Sequence, residues 1–115
     1  IRGGRVVVPG TWFYEWDRGK EKHTFYRKDR PVLFMAGCCR RYGDGMHFVI
    51  LTTAANASVE AVHDRMPLLL EEEEIGAWLS DGTKTAAFLG KKPCLLERRA
   101  VYEQLGLFSS KNYHL

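Results

Sequence analysis

Two short segments hold the residues best suited to chemistry. Glu15 is the one carboxylate in the aromatic run Trp12-Phe13-Tyr14-Glu15-Trp16. His63 opens His63-Asp64-Arg65-Met66-Pro67. A glutamate and a histidine make a proton-transfer pair when they share a cleft. Strand alternation would put Phe13 and Glu15 on one face and Trp12, Tyr14 and Trp16 on the other. A carboxyl beside large rings is partly desolvated and keeps its proton more readily, which suits general acid–base work. A plain alternative stays open, with Glu15 facing solvent and paired to Lys22 or Arg27 across a hairpin. His63 also has a plain alternative, an imidazole favoured at a helix C-terminus by the macrodipole.

The elements that would position these residues follow from local patterns. Arg5-Val6-Val7-Val8 is a short β-branched strand, and Pro9-Gly10 turns it. Trp12 to Trp16 and His23 to Arg27 read as a hairpin around Asp17-Arg18-Gly19-Lys20. Val32 to Gly37 suits a central strand, and His47 to Thr52 follows a Tyr42–Gly45 turn. Ser58 to Asp64 is expected to form a short helix capped by Asn56 or Ser58, with Val59, Val62 and Met66 facing the core. Pro67 takes Met66 out of helical geometry, and Leu68-Leu69-Leu70 is a buried strand. Glu71 to Leu79 is expected to be a helix whose four glutamates sit at its positive end, so capping explains them better than a metal site. Thr83 to Leu89 forms a third short helix closed by Gly90. Residues 93–108 fit both strand and helix periods, and a frayed tail is expected over 109–115.

The 115 residues suffice for one core, and 45% hydrophobic with 27% charged residues is ordinary globular composition. No apolar run is long enough to span a bilayer, so no membrane partner is expected. Residues 1–50 carry ten Lys/Arg against five Asp/Glu, whereas residues 51–115 carry seven against nine. Between Trp12 and Arg30, rings alternate with cations. That mixture suits single-stranded nucleic acid, where bases stack on rings and cations follow phosphates. It also suits a hairpin whose lysines guard an edge. Cys38, Cys39 and Cys94 show neither disulfide nor zinc spacing and read as buried thiols. No metal and no cofactor is expected.

The sequence Arg5-Val6-Val7-Val8-Pro9-Gly10-Thr11-Trp12-Phe13-Tyr14-Glu15-Trp16 resembles a pattern of the SOS-response-associated peptidase (SRAP) domain family: Arg-Cys, two apolar residues, Pro-Ala-Asp-Gly, an aromatic, then Tyr-Glu-Trp. Met35-Ala36-Gly37 is similar to that family's next core strand. Phe48 to Pro67 is similar to its strand, its threonine-bearing loop at Thr52, its short helix and its His-x-Arg-Met-Pro motif. Trp78-Leu79 and Glu103 to Phe108 also fit. Val6 stands where the family has cysteine, and Trp12 where it has glycine.

The resemblance implies an α+β fold, a strongly bent, barrel-like mixed β-sheet with short helices packed outside. It implies that residues 1–108 correspond to the C-terminal portion of a single SRAP domain. It further implies covalent attachment to abasic sites in single-stranded DNA through an N-terminal cysteine that these 115 residues do not supply, together with removal of residues ahead of that cysteine. Glu15 and His63 are then the catalytic residues, and Trp16, Thr52 and Arg65 the DNA-binding ones. The partner is single-stranded DNA with abasic sites, in the cytoplasm or at a bacterial nucleoid. Exposed sheet edges favour self-association. A non-catalytic single-stranded-DNA binding module using the Trp16 hairpin and the Thr52 loop is the alternative. A cysteine protease ranks last, because no internal cysteine lies near His63 in sequence.

Overall fold

The structure is a computed structural model that describes residues 4–100. The β-branched start forms β1 (Gly4–Gly10), which pairs antiparallel with the long strand β4 (Leu33–Tyr42). On its other edge β4 pairs first with β8 (Leu69–Leu70) and then with β5 (Gly45–Ile50). The two meet at a junction where Ala36 N donates to Leu68 O and Leu51 N donates to Ala36 O. Gly37 is required there, because a Cβ would lie 2.7 Å from Val49 O.

A second sheet is built from β2 (Phe13–Trp16), β3 (Lys22–Tyr26) and β9 (Glu97–Ala100), in that order. A third pairs β6 (Thr52–Ala54) with β7 (Arg65–Pro67). Every pairing among the described residues is antiparallel, and none of the sheets closes into a barrel. The short helices α1 (Ile75–Ser80) and α2 (Thr85–Leu89) complete an α+β fold.

Two apolar clusters hold the sheets. In one, Phe13 and Phe25 stack with centroids 5.2 Å apart over Val59, Val62, Met66 and Leu69. In the other, Trp78 meets Phe88 edge-on and packs with Ala36, Leu68 and Leu70. The indole Nε1 of Trp78 also donates to Val6 O at 3.0 Å, which ties α1 to β1. A buried indole needs such an acceptor.

Several expected elements differ. The segment 57–62 is a run of hydrogen-bonded turns, not a helix. The buried Asn56 side chain explains this: Oδ1 accepts from Ser58 N and Oγ, and Nδ2 donates to Pro93 O and Cys94 O. Side-chain bonds of this kind compete with a regular helix. The expected helix over Glu71–Leu79 begins as a 3-10 turn, Glu72–Glu74, before α1. Glu71 N donates to Glu74 Oε1 at 2.7 Å, so the glutamates do serve as caps. A 3-10 turn, Gly82–Lys84, likewise precedes α2. The ambiguous stretch resolves as β9, while its part beyond residue 100, with Glu103 to Phe108 and the tail, lies outside the described residues. The three cysteines are half-buried rather than buried.

Candidate proton-transfer cleft and nucleic-acid face

The β2–β3 hairpin sorts its side chains by face. Phe13 is buried, and Glu15 beside it is half-buried. Trp12, Tyr14 and Trp16 are 50%, 41% and 51% exposed on the other side. Lys22 stands over the Tyr14 ring at 4.0 Å, so a cation sits in the exposed aromatic row. Neither expected cross-hairpin partner of Glu15 is used: Lys22 is on Tyr14, and Arg27 binds Asp29 and Glu71. Directly opposite Glu15 is His23.

The hairpin turn is closed by Asp17. Lys20 N donates to Asp17 O, Glu21 N donates to Asp17 Oδ1, and His23 Nε2 lies 2.9 Å from Asp17 Oδ2. The His23 contact, then the Glu21 amide, hold the Asp17 carboxyl below the usual carboxylate range. Asp17, Glu21 and His23 bring three potential metal-donor atoms within 4.8 Å of one another. The Asp17…Glu21…His23 spacing carried that signal in the sequence and was passed over there.

Trp16, Asp17 and Glu21 form one wall of a cleft of about 850 Å³. Glu60, His63 and Asp64 contribute the other. His63 is therefore brought to the same cleft as Trp16, while Glu15 is not among its lining residues. The His63 ring is oriented by the main chain. Arg65 N donates to His63 Nδ1 at 3.1 Å, which makes Nδ1 an acceptor and leaves Nε2 to carry the proton in the neutral ring. Without a helix before it, His63 has no macrodipole to stabilise it. Arg65 then reaches across the β6–β7 ladder to Thr52, donating to its main-chain oxygen at 2.9 Å. His63, Arg65 and Thr52 thus form one connected edge, whereas Trp16 meets that edge only through the cleft.

Cys94 lines a different cavity, with Arg27 and Asp29. Burial pushes its thiol up, away from the thiolate a nucleophile needs. Among the described residues no helix is long and apolar enough to cross a membrane.

A hairpin presenting Phe13-Tyr14-Glu15-Trp16 against a His63–Arg65 loop defines a recognisable class. The family model described as SOS response associated peptidase (SRAP) matches residues 1–104, and the chain belongs to that family. Abasic site processing protein YedK of Escherichia coli (strain K12) is 32% identical over 83 residues, covering 66% of this chain and 37% of that protein. Abasic site processing protein YoqW of Bacillus subtilis (strain 168) is 31% identical over 85 residues, covering 66% and 38%. A crystal structure of a Bacteroides thetaiotaomicron protein superposes with a TM-score of 0.75 at 28% identity, over 88% of this chain and 50% of that one. One from Bordetella bronchiseptica gives 0.74 at 29% identity, over 85% and 55%. The chain spans about two fifths of the curated relatives it matches and about half of the solved ones.

Proposed function

We propose that residues 1–108 act as the C-terminal portion of an SRAP domain that processes abasic sites in single-stranded DNA by covalent attachment. The observation that carries this reading is the cleft in which His63 faces the Trp16 end of the hairpin, with Glu15 on the adjoining strand position. The names of the relatives YedK and YoqW support abasic-site processing as the task.

The nucleophile in this reading is an N-terminal cysteine. Its amine adds to the C1′ aldehyde of the ring-opened sugar, water leaves, and an imine forms. The thiol then adds to the imine carbon and closes a thiazolidine. Glu15 moves protons at the amine, and His63 assists sugar-ring opening and the reverse reaction. The same cysteine follows removal of any residues ahead of it, which is the peptidase activity. Trp16, Thr52 and Arg65 hold the strand. Cys38, Cys39 and Cys94 cannot replace the nucleophile, because their amines are in peptide bonds. Self-association belongs to the same proposal. Phe48 and Val49 on β5 are exposed and would be covered by it.

The test is a denaturing gel with an abasic oligonucleotide. A protein of family length with an N-terminal cysteine should give a heat-stable shifted band, and the 115-residue chain alone should not. A second reading, a non-catalytic single-stranded-DNA module, is favoured by the exposed Trp12, Tyr14 and Trp16 row with its cation Lys22. Under that reading, both proteins bind the oligonucleotide and neither cross-links.

A further inference from the structure

His23 is the buried titratable group that the proposed chemistry leaves unused. It is the cross-strand partner of Glu15. Residues directly opposite in an antiparallel pair project to one face, so the imidazole and the Glu15 carboxyl are neighbours on the side of the sheet that also carries Phe13 and Phe25. Their ring nitrogens and oxygens are not yet bonded to each other. Nε2 of His23 is held by Asp17 Oδ2 at 2.9 Å. Asp17 is ionised and can only accept, so Nε2 carries the proton. The open position is Nδ1. It is buried and has no hydrogen-bond partner among the described residues. Glu15 likewise has no side-chain partner among the described residues. A buried polar atom without a partner is rare and calls for a reason.

We infer that His23 is a positioning residue that acts through Glu15: a rotation of the Glu15 side chain brings its carboxyl to His23 Nδ1, and a proton on Glu15 passes to that nitrogen. The Glu15 O–H bond breaks and an N–H bond forms at Nδ1. The products are a Glu15 carboxylate and an imidazolium whose other N–H is held by the Asp17 carboxylate. The three groups carry one net negative charge before and after. Asp17 thus fixes the ring so that its free nitrogen is the one on the Glu15 side, a role carboxylates commonly play for imidazoles. Other charges reach this ring from each side. Glu21 is in the same hairpin, Arg98 is opposite Phe25 on β9, and Glu60, His63 and Asp64 lie across the cleft. The inference rests on the reading of Glu15 as a proton-transfer group, and nothing in the family resemblance assigns His23 or Asp17.

Two measurements separate the failure of this inference from the failure of that reading. The first needs no DNA. Long-range ¹H–¹⁵N spectra of the 115-residue chain should show His23 with its proton on Nε2, and Glu15→Gln should move the Nδ1 resonance and its pH response over about pH 5 to 9. Identical His23 spectra in wild type and Glu15→Gln across that range would overturn the inference, whatever the protein does to DNA. The second uses a protein of family length. His23→Gln keeps a polar, similarly sized side chain but cannot take a proton. It should slow adduct formation by about tenfold and remove one limb of the pH–rate profile. A parallel profile, merely scaled, would mean that the Asp17–His23 pair only closes the hairpin. A wild type that forms no adduct counts against the proposed function and leaves the spectra to decide the Glu15–His23 coupling.

Discussion

Arg65 grips Thr52: its Nη2 is 2.9 Å from the Thr52 carbonyl oxygen and 3.3 Å from Oγ1, with Nε 3.4 Å from the same hydroxyl. Both residues are exposed, so the grip is at the surface, and it leaves Nη1 free among the described residues to meet a phosphate. Arg65→Ala should weaken single-strand binding and reduce the slope of log K against log salt by about 1. Arg65→Lys should keep the slope and lose the fork to Thr52. Fluorescence anisotropy at several salt concentrations reads both. An unchanged slope for Arg65→Ala would remove Arg65 from the DNA face.

Trp16 is half exposed at the mouth of the cleft shared with His63. If a base stacks on its ring, Trp16→Ala should cost about 1–3 kcal/mol in single-strand affinity. Trp16→Phe should recover part of this. Equal affinity for duplex and single strand, with no effect of Trp16→Ala, would argue against stacking.

The Asp17 carboxyl is held down by His23 and by the Glu21 amide. Its folded pKa therefore lies below its unfolded value. The stabilisation is complete above about pH 4 and fades as pH falls through the folded value. Asp17→Asn should flatten the acid side of the stability curve, read by urea melts from neutral pH down to about pH 3. If the mutant and the wild type lose stability in parallel over that range, Asp17 is not the titrating group.

Asn56 holds the loop that ends in His63. Its amide serves Pro93 O and Cys94 O while its oxygen caps Ser58. Asn56→Ala leaves these buried partners unpaired and should cost about 1–3 kcal/mol. Asn56→Asp should not restore it, because a carboxylate has no N–H for the two carbonyls. Chemical melts monitored by tryptophan fluorescence provide the check.

The alternation of Trp12 to Trp16 was legible because a period of two needs no tertiary information. Phe13 is buried and the three outer rings are exposed, as that period requires. The caps at Glu71 and Glu74 were legible for a similar local reason. The turn structure of 57–62 was not. Asn56 is drawn out of a capping role by two carbonyls that lie 37 and 38 residues further on, and no local pattern encodes them. The position of His23 was hidden in the same way. Its place opposite Glu15 depends on hairpin register, which Asp17 sets by closing the turn. The division of the strands among three sheets also escaped the sequence, because Leu68 to Leu70 joins β4 from a distant part of the chain.

The most direct test of the account is single-turnover adduct formation on an abasic single strand. The protein should have family length, carry an N-terminal cysteine, and be compared as wild type, Glu15→Gln and His63→Ala on denaturing gels. Each variant should bind the strand with near wild-type affinity and form or reverse the thiazolidine at least about a hundredfold more slowly. Wild-type rates in both variants would contradict the central claim that Glu15 and His63 move the protons of this reaction.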